Sequence, residues 1–470
     1  MLNFKKISND DLLSLQNYFA RKNSLNCDFT LGVKFSWKDY FDSNYCIENE
    51  TLFFRESYEK NKIYYSLPIS RKDGTIFDTT KIVEDYFTNG KYPLEFVNLT
   101  KEETGLLAKK FPHNEIVYSR DWSDYLYLTN DFAEFKGNKY SAKRHHVSKF
   151  KKIYPDVVYV EAKDDELNRI QDFIKEFAQT KNLSTGEAKN EEDEAIKLVC
   201  FYKKLGLKCF LLKDGEKIIG LTILEIIGDC IFDHIEKCLR EYDGIYSYII
   251  YMTANRFKDI KYFNREDDSG DQGLRFSKES LHPIQMIDKY TFTVLNNLDL
   301  IHEIPTIKID ENLSLSKINE DDKIDYKKLN LDDNNNKFWG YDYKTDLNGR
   351  TPDEDYFYNM VEQDFINKTT LVFGIKLNDK LIGEVVFDHL TNDNGFELGY
   401  RLFKEYQHKG YAFKAVQSAL NFAKTHVKTS YFSIKTYKNN LQSLNIINKL
   451  NVSKIDEDSD FYFYKLVNIN

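Results

Sequence analysis

A chain of 470 residues, 41% hydrophobic and 30% charged, is too long for one core and points to about two to four domains of a soluble globular protein. Only 7 Pro and 20 Gly argue against long low-complexity tracts. A net charge of −9 weighs against broad nucleic-acid binding, leaves room for a local basic groove, and suits a cationic or amine partner.

The six cysteines (Cys27, Cys46, Cys200, Cys209, Cys230 and Cys238) include no C-x-x-C pair. Buried free thiols in a reducing cytoplasm are expected, and no metal. The N-terminus lacks the apolar core of a signal peptide. The most apolar stretch, Ile218 to Phe232, is broken by Glu225 and Asp229 and is too short to span a bilayer. A cytoplasmic location and no membrane insertion follow as expectations.

In chain order, residues 1–135 read as a mixed unit. A helix near Asp10 to Lys22 precedes a strand pair, Glu50 to Ser57 and Lys62 to Ser70. A helix from Lys81 to Thr88 then leads to a strand from Pro93 to Leu99. The basic stretch Lys136 to Lys152 joins this unit to the next. In residues 136–300, strand Lys208 to Leu212 turns at Asp214-Gly215 into Lys217 to Leu224. Cys230 to Ile235, a loop holding Gly244, a helix from Ser247 to Phe257 and a strand Tyr262 to Asn264 follow. Leu295 to Pro305 reads as a second linker. In residues 301–470 the hairpin Leu371–Leu377 and Lys380–Asp388 is followed by strand Phe396–Leu402 and a glycine loop. Helix Ala412–His426, strand Tyr431–Thr436 and helix Leu441–Leu450 complete the unit.

The last two units repeat one plan. Strand glycine to loop glycine is 24 positions from Gly220 to Gly244 and 27 from Gly383 to Gly410. Loop glycine to strand phenylalanine is 19 from Gly244 to Phe263 and 22 from Gly410 to Phe432. A shared order with similar spacing indicates a duplicated fold, of which residues 1–135 would be a divergent third copy.

Gln407-His408-Lys409-Gly410-Tyr411-Ala412 lies between a strand and a helix. A small-residue turn there lets backbone approach a ligand, and the free N–H groups of the first helical turn suit a pyrophosphate. His408 and Lys409 would add charge-assisted contacts. The same residues also suit an ordinary helix-capping turn.

The Glu397-x-Gly399-Tyr400 strand, the Q-x-x-G-x-A loop and Asn440-x-x-Ser443 together resemble the GNAT acetyltransferase superfamily, in particular its ribosomal-protein N-terminal acetylating branch. The likeness covers Leu313 to Leu466 and includes the aromatic Phe338-Trp339-Gly340-Tyr341. It implies that acetyl-CoA lies along Tyr400-Arg401-Leu402, its pyrophosphate on Gln407 to Ala412, with Asn440 and Ser443 near the thioester and CoA arm. Glu397 would serve as general base, or as a strand carboxylate that holds substrate, and Ser443 would join it at the reacting centre. Three positions depart from the pattern. Ile447 stands where many relatives carry an acid tyrosine, Phe413-Lys414 replaces Thr-Glu, and Asn451-Val452 replaces Gly-Phe.

A second resemblance covers Met1 to Thr293. Gly137 to His146, Asn264 to Asp268, Gly273-Leu274-Arg275 and Ser280-Leu281-His282-Pro283 are similar to the soluble domain of phosphatidylglycerol lysyltransferases, which is a tandem GNAT module. That likeness implies an aminoacyl-tRNA donor. It makes Lys143, Arg144, Gly244, Arg265, Glu266, Asp267, Arg275 and His282 candidates for a second site; a solvated basic face and an internal Arg–carboxylate network are the bland alternatives.

The expected fold is therefore α/β with mixed sheets, in three GNAT-like units of which the first two form the tandem module. The expected function is acetyl-CoA-dependent acyl transfer to a primary amine of a small molecule, peptide or protein. The alternatives are aminoacyl-tRNA-dependent transfer by the tandem module, with tRNA as partner, and non-catalytic acyl-CoA binding.

Overall fold

The computed structural model describes residues 2–57, 62–90, 93–180, 186–390, 395–450 and 452–467, so the Asn451 position lies outside the described residues. The chain folds as two compact units. One comprises Met1–Ile82, Glu95–Leu107 and Ile116–Phe292; the other comprises Val83–Leu94, Ala108–Glu115 and Thr293–Asn470. The fold is mixed α/β, with three mixed sheets among the described residues.

The first sheet runs Lys5–Lys6, Asn44–Glu48, Thr51–Glu56, Tyr64–Tyr65, Leu94–Leu99, Tyr290–Val294, Asn114–Tyr118. The main partner of Thr51–Glu56 is Asn44–Glu48, a strand the sequence pattern did not reveal. The expected run from Lys62 to Ser70 is two short pieces, Tyr64–Tyr65 and Ile69–Ser70; Pro68 between them cannot donate to a ladder.

The second sheet runs Val158–Glu161, Lys208–Asp214, Lys217–Ile227, Cys230–Cys238, Tyr262–Asn264, Asp124–Leu128, Gln285–Ile287. Asp124–Leu128 precedes the expected division at 135/136, yet it pairs antiparallel with Tyr262–Asn264. Tyr262–Asn264 is therefore interior to this sheet and does not close it. The basic stretch is no open connector either, since it forms the helix Ser141–Ile153 with Val147 and Phe150 buried.

The third sheet runs Ile307–Lys308, Leu313–Ser316, Leu371–Leu377, Lys380–Asp388, Gly395–Leu402, Tyr431–Tyr437, Phe461–Val467, Ser453–Glu457. Leu295 to Pro305 is not a free linker. Leu298, Ile301 and Ile304 enter the core formed with Phe373, Val385 and Val416, because so apolar a segment gains more from burial than from remaining solvated.

The repeat read from glycine spacing recurs in the geometry. In both hairpins one residue bulges immediately before the strand glycine, since Leu212 pairs with Gly220 but Lys213 with Ile218, and Ile375 with Gly383 but Lys376 with Leu381. The bulge brings the third strand close. A Cβ on Gly383 would stand 2.2 Å from the Arg401 carbonyl oxygen, so no larger residue fits. Both third strands then make only a short parallel pair with the next strand, over Cys230–Phe232 in one and Gly395–Glu397 in the other.

Candidate functional site

Beyond the pairing of Glu397 with Ser433 the two parallel strands of the third sheet separate. Among the described residues one edge of Leu398–Leu402 therefore has no strand partner, which leaves backbone groups that need partners elsewhere. The strand leads into the loop whose last residue, Gly410, caps the helix Tyr411–Phe422 at φ 84°. That conformation favours glycine. Among the described residues no side chain caps the first-turn N–H groups, and a Cβ at Gly410 would meet nothing within 4 Å. Gln407 holds the loop by donating to the Leu402 carbonyl at 3.0 Å. His408, itself at φ 60°, lies 3.3 Å from the Gln442 amide. Lys409 rests over the Tyr406 ring, and Lys414 pairs with Asp310 at 2.8 Å.

Strand alternation separates the remaining candidates. Phe396, Leu398 and Leu402 enter the core, and Tyr400 points the same way. Its hydroxyl lies 3.0 Å from Ser443 Oγ, and burial pushes the phenol up to about 12. Asn440 accepts from the Ser443 N–H at 3.1 Å and caps the helix Leu441–Ile447. Glu397, Gly399 and Arg401 take the opposite face. Glu397 is partly exposed, and no hydrogen bond or ion pair engages its carboxylate among the described residues. Arg401 is committed elsewhere: its guanidinium donates to Glu384 at 2.6 Å, Asn336 at 2.8 Å and Asn330 at 2.7 Å. Trp339 stacks on it at 4.3 Å. Any part Arg401 plays toward CoA therefore falls to its backbone. Ile447 is buried in the core, which accounts for an aliphatic residue there.

In the other unit the candidates lie together less openly. Lys143 donates to Ser280 at 3.0 Å, and burial, aided by Arg265, lowers its pKa. Arg144 is spent on the Phe135 and Gly137 carbonyls. Gly244 caps the helix Ile245–Arg256 at φ 87°, as Gly410 does its own helix. Here, however, a Cβ would stand 2.8 Å from the His146 carbonyl oxygen, so the loop is covered. Arg275 forks onto Asp268 at 2.8 and 2.9 Å and reaches Asp121 at 2.6 Å. His282 lies 3.1 Å from the Lys139 carbonyl. The Asp267 carboxylate accepts from the Ser269 N–H and hydroxyl.

Arg265 and Glu266 lead to a buried polar cluster that sequence reasoning missed. Arg265 pairs with Glu236 at 2.6 Å and Asp233 at 3.6 Å; burial, partly offset by Arg265, pushes Glu236 up to about 8. Glu266 holds His234 Nδ1 at 2.7 Å, and Glu225 holds its Nε2 at 3.1 Å. Burial opposes the imidazolium, but the two carboxylates outweigh it and hold His234 at about 10. Glu225 also accepts from the Leu31 and Gly32 N–H groups. Beside it, Asp124 accepts from Cys27 N–H at 2.8 Å and Asn264 at 3.0 Å. Cys27, Asp124 and Asp267 are close enough to hold a metal. The Lys289 ammonium, 2.7 Å from Asp124 and 3.3 Å from Cys27 Sγ, already supplies the positive charge there. The available signal was Glu225, Asp233 and His234 set within strongly apolar strands.

Comparison with known proteins follows this division. Residues 19–293 match the phosphatidylglycerol lysyltransferase C-terminal family, more than half of the chain. The chain belongs to that family. Residues 312–453 match the acetyltransferase (GNAT) domain, so this family member joins a lysyltransferase-type module to a GNAT domain, and acyl transfer in general is their shared chemistry. No curated protein matches the chain. Among solved structures, a conserved protein of unknown function from Bacteroides thetaiotaomicron is 27% identical, with 63% of this chain and 100% of that one covered at a TM-score of 0.57. A C-terminal domain (DUF2156) assigned to a lysylphosphatidylglycerol synthetase of Agrobacterium fabrum is 11% identical, covering 62% of this chain and 95% of its own at 0.43. A GNAT-family acetyltransferase from Bacillus anthracis is 20% identical, covering 35% and 98% at 0.29. No helix among the described residues is long and apolar enough to cross a membrane.

Proposed function

We propose that residues 301–470 form an acetyl-CoA-dependent N-acyltransferase acting on a primary amine, beside a tandem module made of residues 1–135 and 136–300. The observation that carries this reading is the open Gly410 loop at a helix N-terminus, directly after a strand with one unpaired edge. A pyrophosphate there would take orphan N–H groups and favourable helix-dipole charge, and the pantetheine amides would pair with Leu398–Leu402. Glu397 is the base of this reading. It stands on the face opposite Tyr400 and Ser443, so an amine would approach from one side of the strand gap while the thiolate leaves toward the other.

Calorimetry with CoA and acetyl-CoA on the full chain tests the reading. Wild type binds both, and Gly410→Asp binds neither, because a carboxylate would repel and obstruct the pyrophosphate. Equal binding by both proteins removes the loop from the site.

A second reading concerns the tandem module. The family match and the buried Arg265–Glu236–Asp233 group favour aminoacyl transfer there, with tRNA as donor. It predicts saturable tRNA binding that weakens steeply with salt; no binding at low salt rules it out. Binding of CoA with no acetylation across a broad amine panel would instead favour a non-catalytic role.

A further inference from the structure

One lateral row of the third sheet carries charges of both signs. Asp388 pairs with Glu397, Glu397 with Ser433 and Ser433 with Lys465, and residues paired directly across strands point to one face. On the face opposite Tyr400 the row therefore reads acid, acid, hydroxyl, base. Glu397 and Lys465 stand two strand spacings apart, about 10 Å. Among the described residues no ion pair engages Glu397, Lys465 or Lys435, which lies one alternation beyond Ser433 on the same face and is exposed. The two ammonium groups rest over rings instead, Lys465 at 3.5 Å from the Tyr431 centroid and Lys435 at 4.1 Å from that of Phe461. Such contacts fix an ammonium in place yet leave N–H donors for an anion. Asp458 lies within electrostatic reach of Lys435, but its carboxylate is taken by the Asp460 and Phe461 N–H groups at 2.9 and 2.7 Å. The helices Lys323–Leu331 and Tyr356–Ile366 pack on this face at Val372 and Val386. Beyond them, two consecutive half-buried aromatic residues cross the gap where the strands part. Phe338 packs on Tyr437 with ring centroids 5.6 Å apart, and Trp339 lies on Gly399, where a Cβ would stand 3.0 Å from its ring.

We propose that the acceptor is a free amino acid with an aromatic side chain, its amine on Glu397, its carboxylate on Lys465 and Lys435, and its ring against Phe338 and Trp339. The inference rests on the acetyl-CoA reading and narrows its acceptor. A diamine would satisfy the two acids but set its second cation beside the lysines. An anion lacking an amine would meet Asp388 and Glu397. A zwitterion matches the order of charges along the row, and charge complementarity of this kind sets specificity and orientation more than raw affinity. With the carboxylate held by the lysines, the amine is directed at Glu397 and the strand gap. An aromatic side chain suits the two bridging rings, which favour edge or offset contacts. The chemistry balances without a further reactant. The nitrogen bonds to the acetyl carbon, and the C–S bond breaks with its electron pair going to sulfur. Of the two protons that the ammonium sheds, one ends on that sulfur and Glu397 passes the other to water.

The test is calorimetry on the full chain saturated with CoA, with four probes. Phenylalanine carries all three groups, phenethylamine lacks the carboxylate, alanine lacks the ring, and putrescine is a diamine. Phenylalanine should bind about tenfold or more tighter than each of the others, the worth of one charge-assisted hydrogen bond or one well-packed ring. The double variant Lys435→Met/Lys465→Met should erase the preference for phenylalanine over phenethylamine, and Lys435→Arg/Lys465→Arg, which keeps both charges, should retain it. The same order should appear in kcat/KM when acetyl-CoA replaces CoA and thiol release is followed. Equal or absent binding of the four probes to the CoA-saturated chain overturns this inference alone. So does tighter binding of putrescine, or a preference for phenylalanine that survives loss of both lysines. No CoA binding by wild type overturns it together with the cofactor reading.

Discussion

Replacing Arg401 with methionine should cost the C-terminal unit about 3–5 kcal/mol, the range for breaking a buried ion pair from one side. The Arg401 and Glu384 side chains are 5% and 1% exposed and meet at 2.5 Å. Without the guanidinium, Glu384 keeps only the Tyr326 hydroxyl at 2.9 Å among the described residues, too little to support a buried carboxylate. Asn330 and Asn336 lose their donors together. The double variant Arg401→Met/Glu384→Leu should recover only the part owed to the stranded carboxylate, because leucine needs no partner, while Asn330, Asn336 and the Tyr326 hydroxyl still lose theirs. Trp339 stacks on Arg401 and, of the three tryptophans, is the one in this unit. In a Trp37→Phe/Trp122→Phe background its fluorescence therefore reports urea unfolding of this unit. A loss below about 1 kcal/mol in the single variant, the level of an exposed pair, would refute the reasoning.

His234 is held at about 10 against an ordinary value of 6.5. Its stabilisation is thus complete below about pH 6.5 and lost as pH rises through about 10; urea midpoints of the first unit should fall between pH 7 and 10 more in wild type than in His234→Gln, and parallel declines would contradict this. Gly32→Ala places a Cβ 2.4 Å from His234 Nε2. Because two carboxylates pin that ring, overpacking of about 1–3 kcal/mol is expected, and the penalty should shrink when His234 is also alanine. Glu397→Gln should leave acetyl-CoA affinity in calorimetry unchanged while slowing amine acetylation by about 100-fold or more; undiminished turnover would take the base role from Glu397.

What the sequence made legible was local. The hairpins around Asp214-Gly215 and Asn378-Asp379 announce themselves through turn residues between alternating strands. The Gly410 loop announces itself through its place between strand and helix. What it hid depends on distant partners. Asp124–Leu128 reads as a tail of the first segment, and only its pairing with Tyr262–Asn264 assigns it to the second sheet. Cys27, Asp124 and Lys289 lie far apart in sequence, and no periodicity links them. Arg401 illustrates a different failure: its position on the strand was correctly read as adjoining the loop, but its side chain answers to Glu384, which alternation places on the same face. Leu295 to Pro305 reads as a linker in sequence, and only the burial of Leu298 and Leu300 shows that it belongs to a core.

The two loop glycines show how far a motif can be carried. Gly244 and Gly410 share φ near 85° and ψ near zero, each opens a helix, and each follows a strand that leaves its parallel neighbour after three pairs. Backbone conformation therefore does not distinguish them; what packs on top does. At Gly244 the helix Ser141–Ile153 brings the His146 carbonyl to where a Cβ would sit, and Lys149 ties that helix to Asp243 at 2.5 Å. A carbonyl oxygen carries the same sign of partial charge as a phosphate oxygen, so the helix N-terminus that favours an anion already faces a negative group. Any acyl donor of the tandem module would then have to be held away from this loop. After Phe232 the separated strand instead carries Asp233 and Glu236, which meet Arg265 at 3.6 and 2.6 Å. Chemistry in that module would accordingly depend on side-chain charge, whereas at Gly410 it would depend on backbone N–H groups.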